Sequence, residues 1–189
     1  MSAFIVTSGV VAGGLMRRLL DGHPVLRERA IKIWAAKSGS GATSLAREIL
    51  MYQHEPVIVV RDADTLSPSL MAEQCGWVQL RLEQVAPPGE WRVLAIAPEV
   101  AALLFRDEQL LRSLVPVNPS FEQLIRGRYE PNRVLAELSQ QAGEQPFPEA
   151  LLERLARADV SSLWAAPELR PLEEFLLEKS ATQQPGTAP

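Results

Sequence analysis

Residues Val57 to Thr65 read "VIVVRDADT": four β-branched apolar side chains run into an arginine and then two carboxylates one residue apart. In an extended segment, residues i and i+2 project to the same side. Asp62 and Asp64 can therefore converge on one hard cation such as Mg²⁺ or Mn²⁺, which takes oxygen ligands and keeps several waters. Carboxylates this close repel each other unless a cation or a proton intervenes. The competing reading gives both a turn or cap role, which suits Asp equally well. A second segment, "KSGSGATS" (37–44), is a Gly-rich loop entering a helix, a place where backbone N–H groups face anions. It fails the Walker spacing, because Lys37 precedes the glycines and Thr43 follows Ala42. Two readings remain for Lys37: a phosphate contact, or a solvated lysine on a loop.

The other chemistry-bearing residues offer less. A single cysteine, Cys75, excludes an internal disulfide and a multi-cysteine metal site within one chain. It lies on an apolar helical stripe and reads as a small buried hydrophobe. His23 stands in a turn before Pro24 and His54 between a helix and a strand; without a spaced partner, each reads as structural or surface. Neither Ser8 nor Ser38 stands in a GxSxG frame, so neither reads as a nucleophile.

The elements that must position these residues alternate. "AFIVT", "AIKIWAA", "PVIVVR" and "EWRVLAIA" read as four buried strands. Helical spacing fills the gaps: Val11, Leu15 and Leu19 in the first, Leu45, Ile49 and Tyr52 in the second. The stretch from Leu66 to Val85 carries two patterns. Val78, Leu80 and Leu82 alternate as in a strand, but Met71, Cys75, Val78, Leu82 and Val85 repeat at helical spacing over a longer span, which predicts a helix. After Pro98 the chain reads as short helices only, ending in a polar tail, "ATQQPGTAP", whose composition predicts disorder. Alternating strands and helices predict an α/β fold with a parallel four-stranded sheet covered on both faces. The expected organisation is an α/β domain over 1–112, a helical extension over 113–180 and the tail over 181–189. Ligands of such sheets sit beyond the carboxyl ends of the strands. Ser8, Lys37, Asp62, Asp64 and Glu99 all fall on that rim.

Composition narrows the classes further. The net charge of −4 gives little general attraction to nucleic acid, yet residues 1–61 hold eight Lys/Arg against four Asp/Glu, which keeps DNA or RNA open as a partner. No apolar run has the length of a membrane span, and the N-terminus lacks a secretory leader pattern. The expected setting is soluble and cytoplasmic, with no membrane partner.

In their order these pieces resemble a Toprim domain, the metal-dependent fold shared by topoisomerases, primases and OLD-type nucleases, and the similarity is greatest to OLD-type members. "FIVTSGVVAGGLMRRLL" looks like the first motif and "VIVVRDADT" like the Asp-x-Asp motif; "IKIWAAKSGSGATSLAREIL" and "LAIAPEVAALLF" are similar to the intervening and following segments. The resemblance covers residues 3–107. It implies a Mg²⁺-dependent phosphodiester site with Asp62 and Asp64 as metal ligands and Lys37 on a phosphate. It also implies acids that this chain lacks. The first-motif glutamate falls on Ser8, a further acid on Ala12 and a later one on Ala101, while Glu99 remains as a stand-in acid. A serine cannot accept a proton at neutral pH as a carboxylate does. The expectation is a degenerate Toprim-like domain that binds a divalent cation and nucleic-acid phosphate, acting within a larger protein complex, with catalysis impaired. The alternative is an active Mg²⁺-dependent nuclease using Asp62, Asp64 and Glu99.

Overall fold

A computed structural model describes residues 2–143 and 147–180. The tail read as disordered lies outside them. Strands β1 (Ala3–Ser8), β2 (Ile31–Ala36), β3 (Val57–Asp62) and β4 (Trp91–Ile96) form one parallel sheet in the order β2-β1-β3-β4. The architecture is α/β as expected. Register aligns the carboxyl ends: Ser8 lies opposite Ala36, Thr7 opposite Val60 and Asp62 opposite Ile96.

The pleat divides the apolar side chains between two layers. Ala3, Ile5, Ile58, Val60, Leu94 and Ile96 face one layer. There they meet α1 (Val10–Gly22), a 3-10 segment (Val100–Arg106) and the helices α4 (Glu108–Leu114), α6 (Pro131–Gln141), α7 (Glu149–Leu155) and α8 (Arg170–Ser180). Phe4, Val6, Val57 and Val59 face the other layer, against α2 (Gly39–Glu48), the π turn Ile49–Gln53 and α3 (Pro68–Glu83). The central strands β1 and β3 are apolar on both faces because both are covered, whereas the edge strands β2 and β4 are only partly buried.

The segment with two patterns is the helix α3, with Pro68 in its first turn. Its buried stripe is narrower than the spacing suggested. Only Val78 and Leu82 are buried, and Cys75 is half-buried rather than buried, so the expectation of a core cysteine is corrected.

The C-terminal helices join the same core as the sheet. Leu172, Phe175 and Leu176 of α8 are buried among residues of β1 and β4. The Trp164 indole N–H donates to the Leu19 carbonyl of α1 at 3.1 Å. His23 ties the two parts together: its Nδ1 accepts the Val25 and Leu26 N–H groups, and its Nε2 lies 3.1 Å from Glu173 of α8. Two donors on Nδ1 place the ring proton on Nε2, where it donates to the carboxylate. His23 is therefore structural, and His54 is exposed in a left-handed turn at the end of the π segment. The short helix α5 (Phe121–Arg126) starts in a Ser120–Gln123 capping box. It ends at Gly127, where a Cβ would fall 1.8 Å from the buried Phe105 ring. No helix among the described residues is long and apolar enough to cross a membrane.

Candidate functional site

Strand alternation along β3 sends Ile58, Val60 and Asp62 to the α1 layer, and Val57, Val59 and Arg61 to the α2–α3 layer. Asp62, the last residue of the strand, is half-buried. Its Oδ1 accepts the Val100 N–H at 2.6 Å, and its own N–H donates to Ser8 Oγ at 3.3 Å. The chain then turns. Ala63 N–H donates to the Ile96 carbonyl, and Asp64 N–H donates to the Pro98 carbonyl with the backbone of Asp64 at φ 54°. The left-handed conformation ends the extended geometry that would put both carboxylates on one side, and Asp64 is exposed. The two charges still interact.

Burial raises the Asp62 carboxyl from 3.8 to about 6, opposed by the Val100 N–H bond and reinforced by the negative charges of Glu99 and Asp64; Arg61 opposes more weakly. Three carboxylates thus share one corner of the rim. Glu99 is half-buried, and its Oε2 accepts the Asn132 N–H at 3.1 Å in the first turn of α6. The N-cap residue of that helix, Glu130, makes no capping bond with its side chain, so Glu99 serves one of the orphan donors. Lys37 lies on the same rim, exposed, with no hydrogen bond or ion pair among the described residues. Its neighbour Ser38 caps α2 by accepting the Gly41 N–H.

A pocket of about 200 Å³ opens beside Asp62, lined by Ser8, Gly9, Ala12, Ala101 and Asn132 among others. Thus the three positions at which the resemblance expects acids, Ser8, Ala12 and Ala101, meet Asp62 around one cavity. The side chains present are a hydroxyl and two methyls. The Asn132 Oδ1 is buried without a hydrogen-bond partner. Neither Asn132 nor the Val100 N–H was apparent as a site group from the sequence, because α6 reaches the rim only through the fold. Among the described residues, no group of three or more Asp, Glu, His or Cys side chains is arranged to hold a metal ion. Asp62 and Glu99 each have one carboxylate oxygen engaged by a backbone N–H and one not so engaged.

No family model and no curated protein matches the chain. Among solved structures it is similar to the C-terminal region of the Burkholderia pseudomallei OLD protein, with a TM-score of 0.62 and 18% identity, over 95% of this chain and 98% of that one. At that identity the likeness shows the fold. It spans the C-terminal helices as well as the sheet.

Proposed function

We propose that the chain is a nuclease-related, Toprim-like domain that holds a divalent cation, Mg²⁺ or Mn²⁺, at Asp62 and meets nucleic-acid phosphate at the rim, with hydrolysis impaired. The observation that carries the reading is the crowding of Asp62, Glu99 and Asp64 charges beside a pocket whose other expected acids are Ser8, Ala12 and Ala101. The oxygens suit a hard cation. Burial, reinforced by the neighbouring negative charges, makes Asp62 ionise less readily than an ordinary carboxyl, and a cation would offset that penalty. Asp62 and Asp64 are the proposed ligands, water supplying the rest, and Lys37 is the proposed phosphate contact. A bound cation stabilises charge on a phosphate oxygen. The impairment lies in the proton transfer. Ser8 accepts the Asp62 N–H and offers no carboxylate, and Glu99 has one oxygen committed to α6. A domain of this kind suits a binding role within a larger nucleic-acid complex.

The test is Mn²⁺ titration of the full chain, read by electron paramagnetic resonance, beside the Asp62→Asn/Asp64→Asn variant. Binding present in the wild type and lost in the variant supports the site. Binding retained by the variant, or absent from both proteins, refutes it. Divalent-dependent cleavage of DNA or RNA that Glu99→Gln lowers at least tenfold would instead make the chain an active nuclease with Glu99 as its acid.

A further inference from the structure

On the far face of the sheet from Asp62 lies a second rim feature, a cleft of about 420 Å³ between the start of α2, the end of β3 and α3. Ser38, Gly39, Arg61, Trp77 and Arg81 line it, and no lining residue is a carboxylate. Arg61 is held in place: its Nε donates to the Asp62 carbonyl at 3.2 Å and its Nη2 to Gln74 Oε1 at 3.4 Å. The guanidinium lies over the first turn of α2, where a Cβ on Gly39 would stand 3.7 Å from Nη2. In that turn the Gly41 N–H is satisfied by Ser38 Oγ and the Ala42 N–H by the Ser38 carbonyl, while those of Gly39 and Ser40 have no acceptor among the described residues. Arg81 has no ion pair among the described residues. Trp77, one turn before it on α3, leaves 65% of its surface exposed.

We propose that this cleft binds one phosphate and the adjoining unpaired base of a single-stranded nucleic acid, with the phosphate at Arg61, Arg81 and Gly39 and the base on Trp77. The proposal takes its ligand class from the nucleic-acid reading above and adds strandedness and a subsite. A bare phosphate would account for the guanidiniums and leave the exposed indole idle. An acidic peptide would do the same. A nucleotide unit uses both, because each base offers a flat face to an aromatic ring, while cations and free amides follow the backbone. The cleft volume is within the range of small-ligand sites, about 300–1,000 Å³. A duplex cannot use the ring without unstacking a base.

Fluorescence anisotropy of fluorescein-labelled dT₁₂, titrated with the full chain in EDTA at low salt, tests it. Trp77→Ala is expected to weaken binding about tenfold and Trp77→Phe to restore most of it. Arg81→Ala should weaken binding and lower the slope of log K against log salt by about 0.7, the loss of one phosphate contact. Both side chains are exposed, so the variants should fold, which circular dichroism checks. Binding by Trp77→Ala within twofold of wild type overturns the proposal. So does a 12-base-pair duplex that binds as tightly as dT₁₂, or a poly-glutamate peptide that displaces dT₁₂ at equal charge concentration. EDTA keeps this result separate from the cation site: Trp77→Ala should leave Mn²⁺ binding unchanged, so either reading can fail alone.

Discussion

Replacing Asp62 by Asn should stabilise the folded chain above pH 6 and have almost no effect near pH 4. Burial, with Glu99 and Asp64 nearby, lifts the carboxyl from 3.8 to about 6. The folded state therefore holds a proton that the unfolded state has released between those values, so stability falls as pH rises through that window. Below about 4 both states are protonated and the cost is absent; above about 6 it is complete. The full difference corresponds to about 3 kcal/mol. Asp62 is partly open to solvent, and screening reduces this to about 1–2 kcal/mol. Asn keeps an oxygen for the Val100 N–H, so the substitution removes the charge and little else. For a chain of this length the gain is about 3–6 °C in Tm at pH 8. Thermal melts of both proteins from pH 4 to 8 without divalent ions measure it, and the two curves should separate as the pH passes 5. If the cation site is right, millimolar Mn²⁺ should raise the wild-type Tm at pH 7.5 and leave the variant unmoved. Parallel pH profiles, or a variant less stable at pH 8, would refute the electrostatic account of Asp62.

Gly127→Ala should destabilise the chain by about 1–3 kcal/mol, read by urea denaturation, since the new methyl would collide with the Phe105 ring and the backbone itself, at φ −61°, raises no objection. A truncation after residue 112 should lose the cooperative thermal transition, because it strips α8 and its neighbours from one whole face of the sheet; a two-state melt near the full-length Tm would show that the helices are an appendage.

The legible parts of the fold were those governed by local pattern. Strand runs such as "VIVV" have no amphipathic alternation because β3 is covered on both faces, and that continuity is itself the mark of a buried parallel strand. The helix α3 was legible in kind but not in depth. Its apolar spacing extends to Met71 and Cys75, but only Val78 and Leu82 are buried. The rim placement of Ser8, Lys37, Asp62 and Asp64 followed from strand ends and register. The bond from Asn132 to Glu99 did not, because it joins residues brought together by helices whose packing leaves no sequence period. Nor could the left-handed turn at Asp64 be read: Asp tolerates φ > 0, but nothing in "RDADT" requires it.

That turn changes what the Asp-x-Asp pair can mean. Asp64 is exposed at that turn, and the Glu99 charge acts on Asp62 more strongly than that of Asp64. A glutamate at Ser8 and another acid at Ala101 would add two negative charges around a pocket of about 200 Å³. Those charges would push the Asp62 carboxyl up further. Here Ser8 instead accepts the Asp62 N–H, and the Ala12 and Ala101 methyls add no charge. Arg61 lies one residue away on the opposite face, so this strand end carries a carboxylate on one side of the sheet and a guanidinium held by the Asp62 carbonyl and Gln74 on the other.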